Sequence, residues 1–145
     1  MSAAVESLLE TLAQHGERVA LVQAGQQLSY TQLLHEISAR ADGLRQVGAK
    51  RLGLALDNGL EWVLWDLAAL VAGIVCVPVP GFFSAAQQRH VLDSAGVDSL
   101  IAADASVFAA LGFGAAAAQI AQRSLPAVAE LPVGTVFFFN ATATT

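Results

Sequence analysis

Apolar residues recur along this chain with two different periods. Between Ser29 and Gly48, the residues Leu33, Ile37, Ala41, Leu44 and Val47 fall on one face of a helix, while Gln32, Glu36, Arg40 and Arg45 lie off it. Leu60, Val63, Leu64, Leu67 and Val71 repeat that spacing, and Val5, Leu8, Leu9 and Leu12 predict a further helix near the start. Capping chemistry falls where these helices should open. Ser29 precedes Gln32, and Ser84 precedes Gln87, by the interval of a capping box; Asn58 stands in the same relation to Glu61 and approximates one. Gly48, Gly73 and Gly96 supply left-handed stops at the other ends.

Short apolar runs without helical spacing lie between: VALV at 19–22, LGLAL at 52–56, IVCVPV at 74–79, SLIA at 99–102 and TVFFF at 135–139. Residues 23–27, centred on Gly25, read as a turn joining the first run to Leu28 and Ser29. Strands that alternate with helices and are apolar on both faces predict an α/β fold, a mostly parallel sheet with helices on both faces. The uncharged stretch 67–83 has nearly the length of a membrane span. Gly73, the β-branched run after it and two prolines divide it instead into a helix end, a turn and a buried strand, so no membrane span is expected. Residues 104–122 are rich in alanine and predict two short helices broken at 112–114. Pro126 and Pro132 mark a surface connection before the last strand, which is expected to open into a loop at Asn140.

Composition sharpens this picture. Apolar residues make up 55% of the chain and charged ones 13%, which gives a large core for 145 residues and a single domain or subdomain. The net charge of -5 and seven Lys plus Arg, thinly spread, leave no basic stripe for a nucleic acid. Cys76 stands alone inside an apolar run and reads as a buried structural thiol. Glutamates near the N-terminus stand where an export signal would carry basic residues. A cytoplasmic location is expected, and the N-x-T match at Asn140 is then without meaning.

Side chains with catalytic potential are scattered. His15, His35 and His90 have no partner at metal-ligand spacing, and no nucleophile elbow or triad is present. Glu61, Asp66, Asp93 and Asp98 fall near predicted helix ends or exposed faces, where charge is tolerated. No residue is nominated as catalytic or as a metal ligand. Gly112, Gly114 and Ala117 match the dinucleotide fingerprint G-x-G-x-x-A, with Glu130 downstream for a ribose. That fingerprint needs a strand directly before its first glycine. SVFAAL looks helical, with Asp104 as its cap, so an alanine-rich helix joint is the plainer reading. The only lysine, Lys50, follows no glycine-rich loop, so a Walker A motif is missing.

The order of these segments carries a resemblance. The ALV…LSYTQL hairpin and helix, the LDNGLEWV helix start, the LAALVAG…VPV helix and strand and the AGVDSLIA strand, over residues 18–104, resemble the opening of the adenylate-forming superfamily. That superfamily comprises acyl-CoA synthetases, aryl ligases, luciferases and peptide-synthetase adenylation domains. The resemblance implies the N-terminal subdomain of an AMP-forming ligase that uses ATP, Mg2+ and the thiol of CoA or a carrier protein. A carboxylate attacks the α-phosphate of ATP to give an acyl-adenylate and pyrophosphate, and the thiol then takes the acyl group.

Such enzymes hold the phosphates in a loop written roughly T-S-G-T-T-G after a strand that ends in Phe. With Phe139 set on that Phe, Thr144 matches a phosphate-binding Thr, while Asn140, Ala141, Thr142 and Thr145 stand where Thr, Ser, Gly and Gly are expected. The missing glycines remove the close backbone approach that a phosphate needs. The resemblance therefore implies a subdomain over 1–145 that stops at the phosphate-loop strand and is inactive alone. It also implies two partners: the remainder of the parent enzyme, and a second copy through the apolar surface that a stop after TVFFF would leave uncovered. The competing expectation is a self-contained, non-catalytic α/β module that binds a nucleotide or a protein, with its site at 112–117.

Overall fold

The computed structural model describes residues 2–46 and 48–102 in full, and the backbone of 113–114 and 137–141. Helix α1 (Ala3–Gln14) leads into a hairpin of β1 (Val19–Gln23) and β2 (Gln26–Ser29). There follow α2 (Tyr30–Gln46), β3 (Arg51–Ala55), α3 (Leu60–Ala72), β4 (Val75–Pro78), α4 (Ala85–Ser94) and β5 (Ser99–Ala102). Two further strands, β6 (Phe113–Gly114) and β7 (Phe137–Ala141), complete the described elements. Ala24 and Gly25 turn the hairpin with φ of 44° and 83°. Two positive φ angles in a two-residue loop make a type I′ turn, which matches the twist of the paired strands.

Five strands form the main sheet in the order β4-β3-β5-β7-β6. The α/β expectation holds: β3 pairs in parallel with β4 on one side and β5 on the other. The phenylalanine run enters differently, since β7 pairs antiparallel with both β5 and β6. Mixed sheets of this kind carry antiparallel strands beside a parallel core.

Alternation along the strands separates two cores. Leu52, Leu54 and Ile101 pack with α2 and α3 on one face, around Leu33, Ile37, Leu44, Leu64 and Trp65. Leu100 and Ala102 face the other way, with Ala55, Val77 and Val79, and meet Leu92 of α4 and Val97. Gly53 lies on this second face, where a Cβ would stand 2.8 Å from a Leu100 methyl carbon and 3.1 Å from one of Val97. Glycine is what leaves room there for the Leu100 and Val97 side chains.

The predicted caps are present at two of three helices. Ser29 with Gln32, and Ser84 with Gln87, bond reciprocally to each other's backbone N–H groups. At α3 the N-cap is Gly59 and not Asn58, and it has no capping side chain of its own. The stops hold as expected. Gly48, Gly73 and Gly96 have φ of 69°, 72° and 64°, and each helix closes with paired bonds, as in Ile74 N–H to Ala69 O at 2.9 Å.

Three readings change. In α3 the buried positions are Leu64, Trp65, Ala68, Ala69 and Val71, a stripe rotated from the predicted face. The helix is apolar nearly all round, so spacing alone cannot set its phase. In α2, Glu36 and Arg40 are buried beside the predicted apolar stripe, because they pair across to α3. Phe113 and Gly114, read as a helix break, form a strand, and β7 continues through Asn140 and Ala141 where a loop was expected. The rest of 104–122, with Val47, lies outside the described residues. Residues 67–83 divide at Gly73 as expected, but the strand after it, β4, is an edge strand with no buried residue and not the buried strand expected; among the described residues no helix is long and apolar enough to cross a membrane.

Candidate functional site

Leu54 and Pro78 lie side by side where parallel β3 and β4 end. From there the chain leaves in two directions: β3 leads to α3 on one face of the sheet, and β4 leads to α4 on the other. Such a divergence at the carboxyl ends of parallel strands opens a crevice, the usual ligand position in α/β sheets. A cleft of about 330 Å³ is found at this point. Leu54, Leu56 and Val79 give it aliphatic lining, Trp62 and Phe82 contribute aromatic rings, and Asp57 and Asn58 are its polar groups. Phe82 is 85% exposed and meets Phe83 edge to face, with ring centroids 5.3 Å apart.

The hairpin fastens one wall of this cleft. Gln23 Oε1 accepts a hydrogen bond from the Leu60 N–H at 2.7 Å, so the first turn of α3 is capped from thirty-seven residues away. Gly59 makes room for it, since a Cβ there would stand 2.7 Å from Gln23 Nε2.

Behind that turn lies a buried charge cluster. Arg40 Nη1 donates to Glu36 Oε2 at 2.5 Å and to the Glu36 carbonyl at 3.1 Å, and its Nη2 donates to Glu61 Oε1 at 2.8 Å. The guanidinium sits over the Trp65 ring, 5.5 Å from the centroid. Burial pushes the Glu61 carboxyl above the ordinary glutamate range against the opposing pull of Arg40. Glu61 thus stands at a helix end, as the sequence reading allowed, but on the α2-facing side and not on an exposed face.

The remaining candidates fall elsewhere. Cys76 faces the α3 side and is partly buried, not fully buried as expected; burial, followed by the neighbouring Asp66 carboxylate, pushes its thiol up to about 12. It stays protonated at neutral pH and is unreactive as a nucleophile. Asp98 accepts from the Arg51 N–H at 2.9 Å and from the Ser99 hydroxyl at 2.7 Å, which ties β5 to the start of β3. His15 stacks on Tyr30 at 4.7 Å, while His35 and His90 are exposed on their helices. Thr144 lies outside the described residues, as do Gly112 and Ala117; Gly114 pairs with Asn140 inside the sheet. Asp57, Trp62 and Phe82 were missed as site residues. Their signal was positional: each follows the end of a strand that the pattern already made parallel.

Residues 8–138 match the family described as AMP-binding enzyme. The chain belongs to that family. Medium-chain acyl-CoA ligase ACSF2, mitochondrial, from Homo sapiens is 37% identical to it over 106 residues, which cover 69% of this chain and 17% of the human protein. A linear gramicidin synthase protein of Brevibacillus parabrevis is 32% identical over 95 residues, 63% of this chain and 1% of that one. Among solved structures, the Klebsiella oxytoca NpsA N-terminal subdomain superposes with a TM-score of 0.65 at 25% identity, covering 72% of this chain and 28% of that chain. This AMP-binding family member thus spans less than a fifth of the human ligase. The cleft does not fit the family's ATP and Mg2+ by itself. Among the described residues it is lined by one carboxylate, Asp57, and by no Lys or Arg, and the Leu60 N–H at the head of α3 is already bonded to Gln23.

Proposed function

We propose that this chain is the N-terminal subdomain of an AMP-forming carboxylate–thiol ligase, and that it lends such an enzyme an apolar cleft but not its phosphate chemistry. The carrying observation is the lining at the carboxyl ends of β3 and β4: among the described residues, aliphatic and aromatic side chains with one carboxylate and no cation. That lining suits an uncharged part of a substrate and disfavours a triphosphate. In the whole enzyme, a carboxylate and ATP give an acyl-adenylate and pyrophosphate, and the thiol of CoA or a carrier protein takes the acyl group. The human relative's name, an acyl-CoA ligase, supports that reaction class.

On this reading the chain alone is inert, and Thr144 would contribute to phosphate binding only within a completed loop. Incubation with ATP, Mg2+, CoA and a panel of straight-chain carboxylic acids should release no pyrophosphate. Clear turnover would overturn the claim of inertness. Tight calorimetric binding of ATP, AMP or NAD would favour the competing reading of a self-contained nucleotide-binding module.

Two further expectations belong to the same proposal. Val75 on β4, half exposed, and Phe82 are apolar surface that other parts of a larger enzyme would cover. The isolated chain should self-associate through them, and a strictly monomeric species by light scattering at high concentration counts against this. A cytoplasmic location is checked by cell fractionation.

A further inference from the structure

We propose that Arg40 is a positioning residue for the cleft: acting through Glu61, it holds the first turn of α3, and with it Trp62, in a manner that depends on one proton. The inference rests on reading the cleft as the site, since Trp62 matters only as its wall.

Glu61 and Trp62 are neighbours in the first turn of α3, and they serve opposite sides of it. Trp62 lines the cleft, while Glu61 reaches Arg40 on α2 at 2.8 Å. Arg40 itself is firmly held at both amino groups, although its Nε has no hydrogen-bond partner among the described residues. It is 1% exposed, its other amino group is held by the Glu36 carboxylate and carbonyl, and its plane rests on Trp65. The hold on Glu61 is therefore transmitted from a fixed point.

The charges in this cluster do not balance. One guanidinium faces two carboxylates, so full ionisation leaves a net negative charge in a place that water reaches only at the Glu61 edge. Glu36 Oε1 also has no hydrogen-bond partner among the described residues, and Glu61 has, besides Arg40, only an approach from the Trp65 indole that falls short of full hydrogen-bond geometry. The charged groups that face Glu61 are Arg40 and Glu36, both from α2. Its own helix offers the Trp65 indole, and the hairpin places the neutral Gln23 carboxamide at the neighbouring Leu60 amide. Nothing else among the described residues cancels the excess. A proton on Glu61 makes the cluster neutral and keeps the turn seated. Its loss leaves a buried anion, and the accessible way to hydrate it is movement of that first turn toward water, because Glu61 at 16% exposure is the cluster member nearest solvent.

Nuclear magnetic resonance of the whole chain, without substrate, tests this. The Trp62 indole N–H signal should follow a single titration from mildly acidic to mildly alkaline pH, with a midpoint above the ordinary glutamate value. In Glu61→Gln, which keeps a neutral hydrogen-bonding group, the signal should stay at its low-pH position throughout. Arg40→Lys should retain a titration, and Arg40→Met should displace the signal at every pH. A wild-type Trp62 signal that does not move, or a Glu61→Gln signal that titrates like wild type, overturns the proposal. If Arg40→Met fails to fold, the Glu61→Gln comparison decides alone. A cleft that binds no substrate would sink the functional reading and leave this titration intact, so the two failures are distinguishable.

Discussion

Two glycines decide how closely elements meet, and they do so for different reasons. Gly53 has no backbone peculiarity, but any side chain there runs into Leu100 and Val97 on the packed face beneath α4. Gly53→Val should destabilise the chain by about 1–3 kcal/mol, the range for overpacking a filled core. Chemical denaturation would show it as a lower midpoint with an unchanged slope. Gly59 is fully extended, a conformation any residue adopts. Its constraint is the Gln23 amide that lies against it. Gln23→Ala removes the acceptor on the Leu60 N–H and should cost about 1 kcal/mol, as loss of an N-cap does. Gly59→Ala should displace the same side chain and lose the same bond. The double variant is then expected to cost little more than either single one, a non-additivity that denaturation of all four proteins would measure.

At the scale of elements, α2 and α3 are joined by a contact that is both apolar and ionic. Removing Arg40 alone leaves Glu36 and Glu61 buried without a counter-charge. Arg40→Ala should lower stability by about 3–5 kcal/mol. Replacing all three charged residues by apolar ones, as Glu36→Leu, Arg40→Met and Glu61→Leu, should restore most of that loss, because no charge then remains to desolvate. Recovery of the thermal midpoint in the triple variant checks it. This contact also marks the limit of what the sequence discloses. The spacing of Leu33, Ile37, Ala41 and Leu44 foretold one face of α2 correctly, since burial there is governed by local periodicity. Glu36 and Arg40 looked like a solvated face because their partner, Glu61, lies in another helix, and a pairing across twenty-one residues leaves no local trace. The prolines of VPVP were informative in the other direction. Val75 and Val79 send their N–H groups to the β3 side, so Pro78 and Pro80 fall on the outward positions of an edge strand, where a missing N–H costs nothing. The cleft was readable only in part. Strand ends were visible, but the hairpin's reach to α3 through Gln23 is a tertiary bond, and no pattern around residue 23 announces it.

For the molecule as a whole, two partly buried acids among the described residues couple stability to pH, and both act in the same direction. Glu61 is raised above the ordinary value of 4.5 in the folded chain, mainly by burial, with Arg40 opposing. Between that value and its folded pKa, the folded state holds a proton that the unfolded state has released. Stability from this group is therefore complete below 4.5 and falls as pH rises through the folded pKa. Cys76 repeats the logic at higher pH: the unfolded thiol ionises near 9.0, while the folded one waits until about 12, so stability falls again across that interval. Thermal unfolding should accordingly show a midpoint that declines in two stages as pH rises, the first beginning above 4.5 and the second above 9.0. Glu61→Gln should abolish the first stage and leave the second, and Cys76→Ala should do the reverse. A first stage that survives in Glu61→Gln would assign it to some other group and end the role of Glu61 as a pH-sensing acid, even if the alkaline stage behaved as expected.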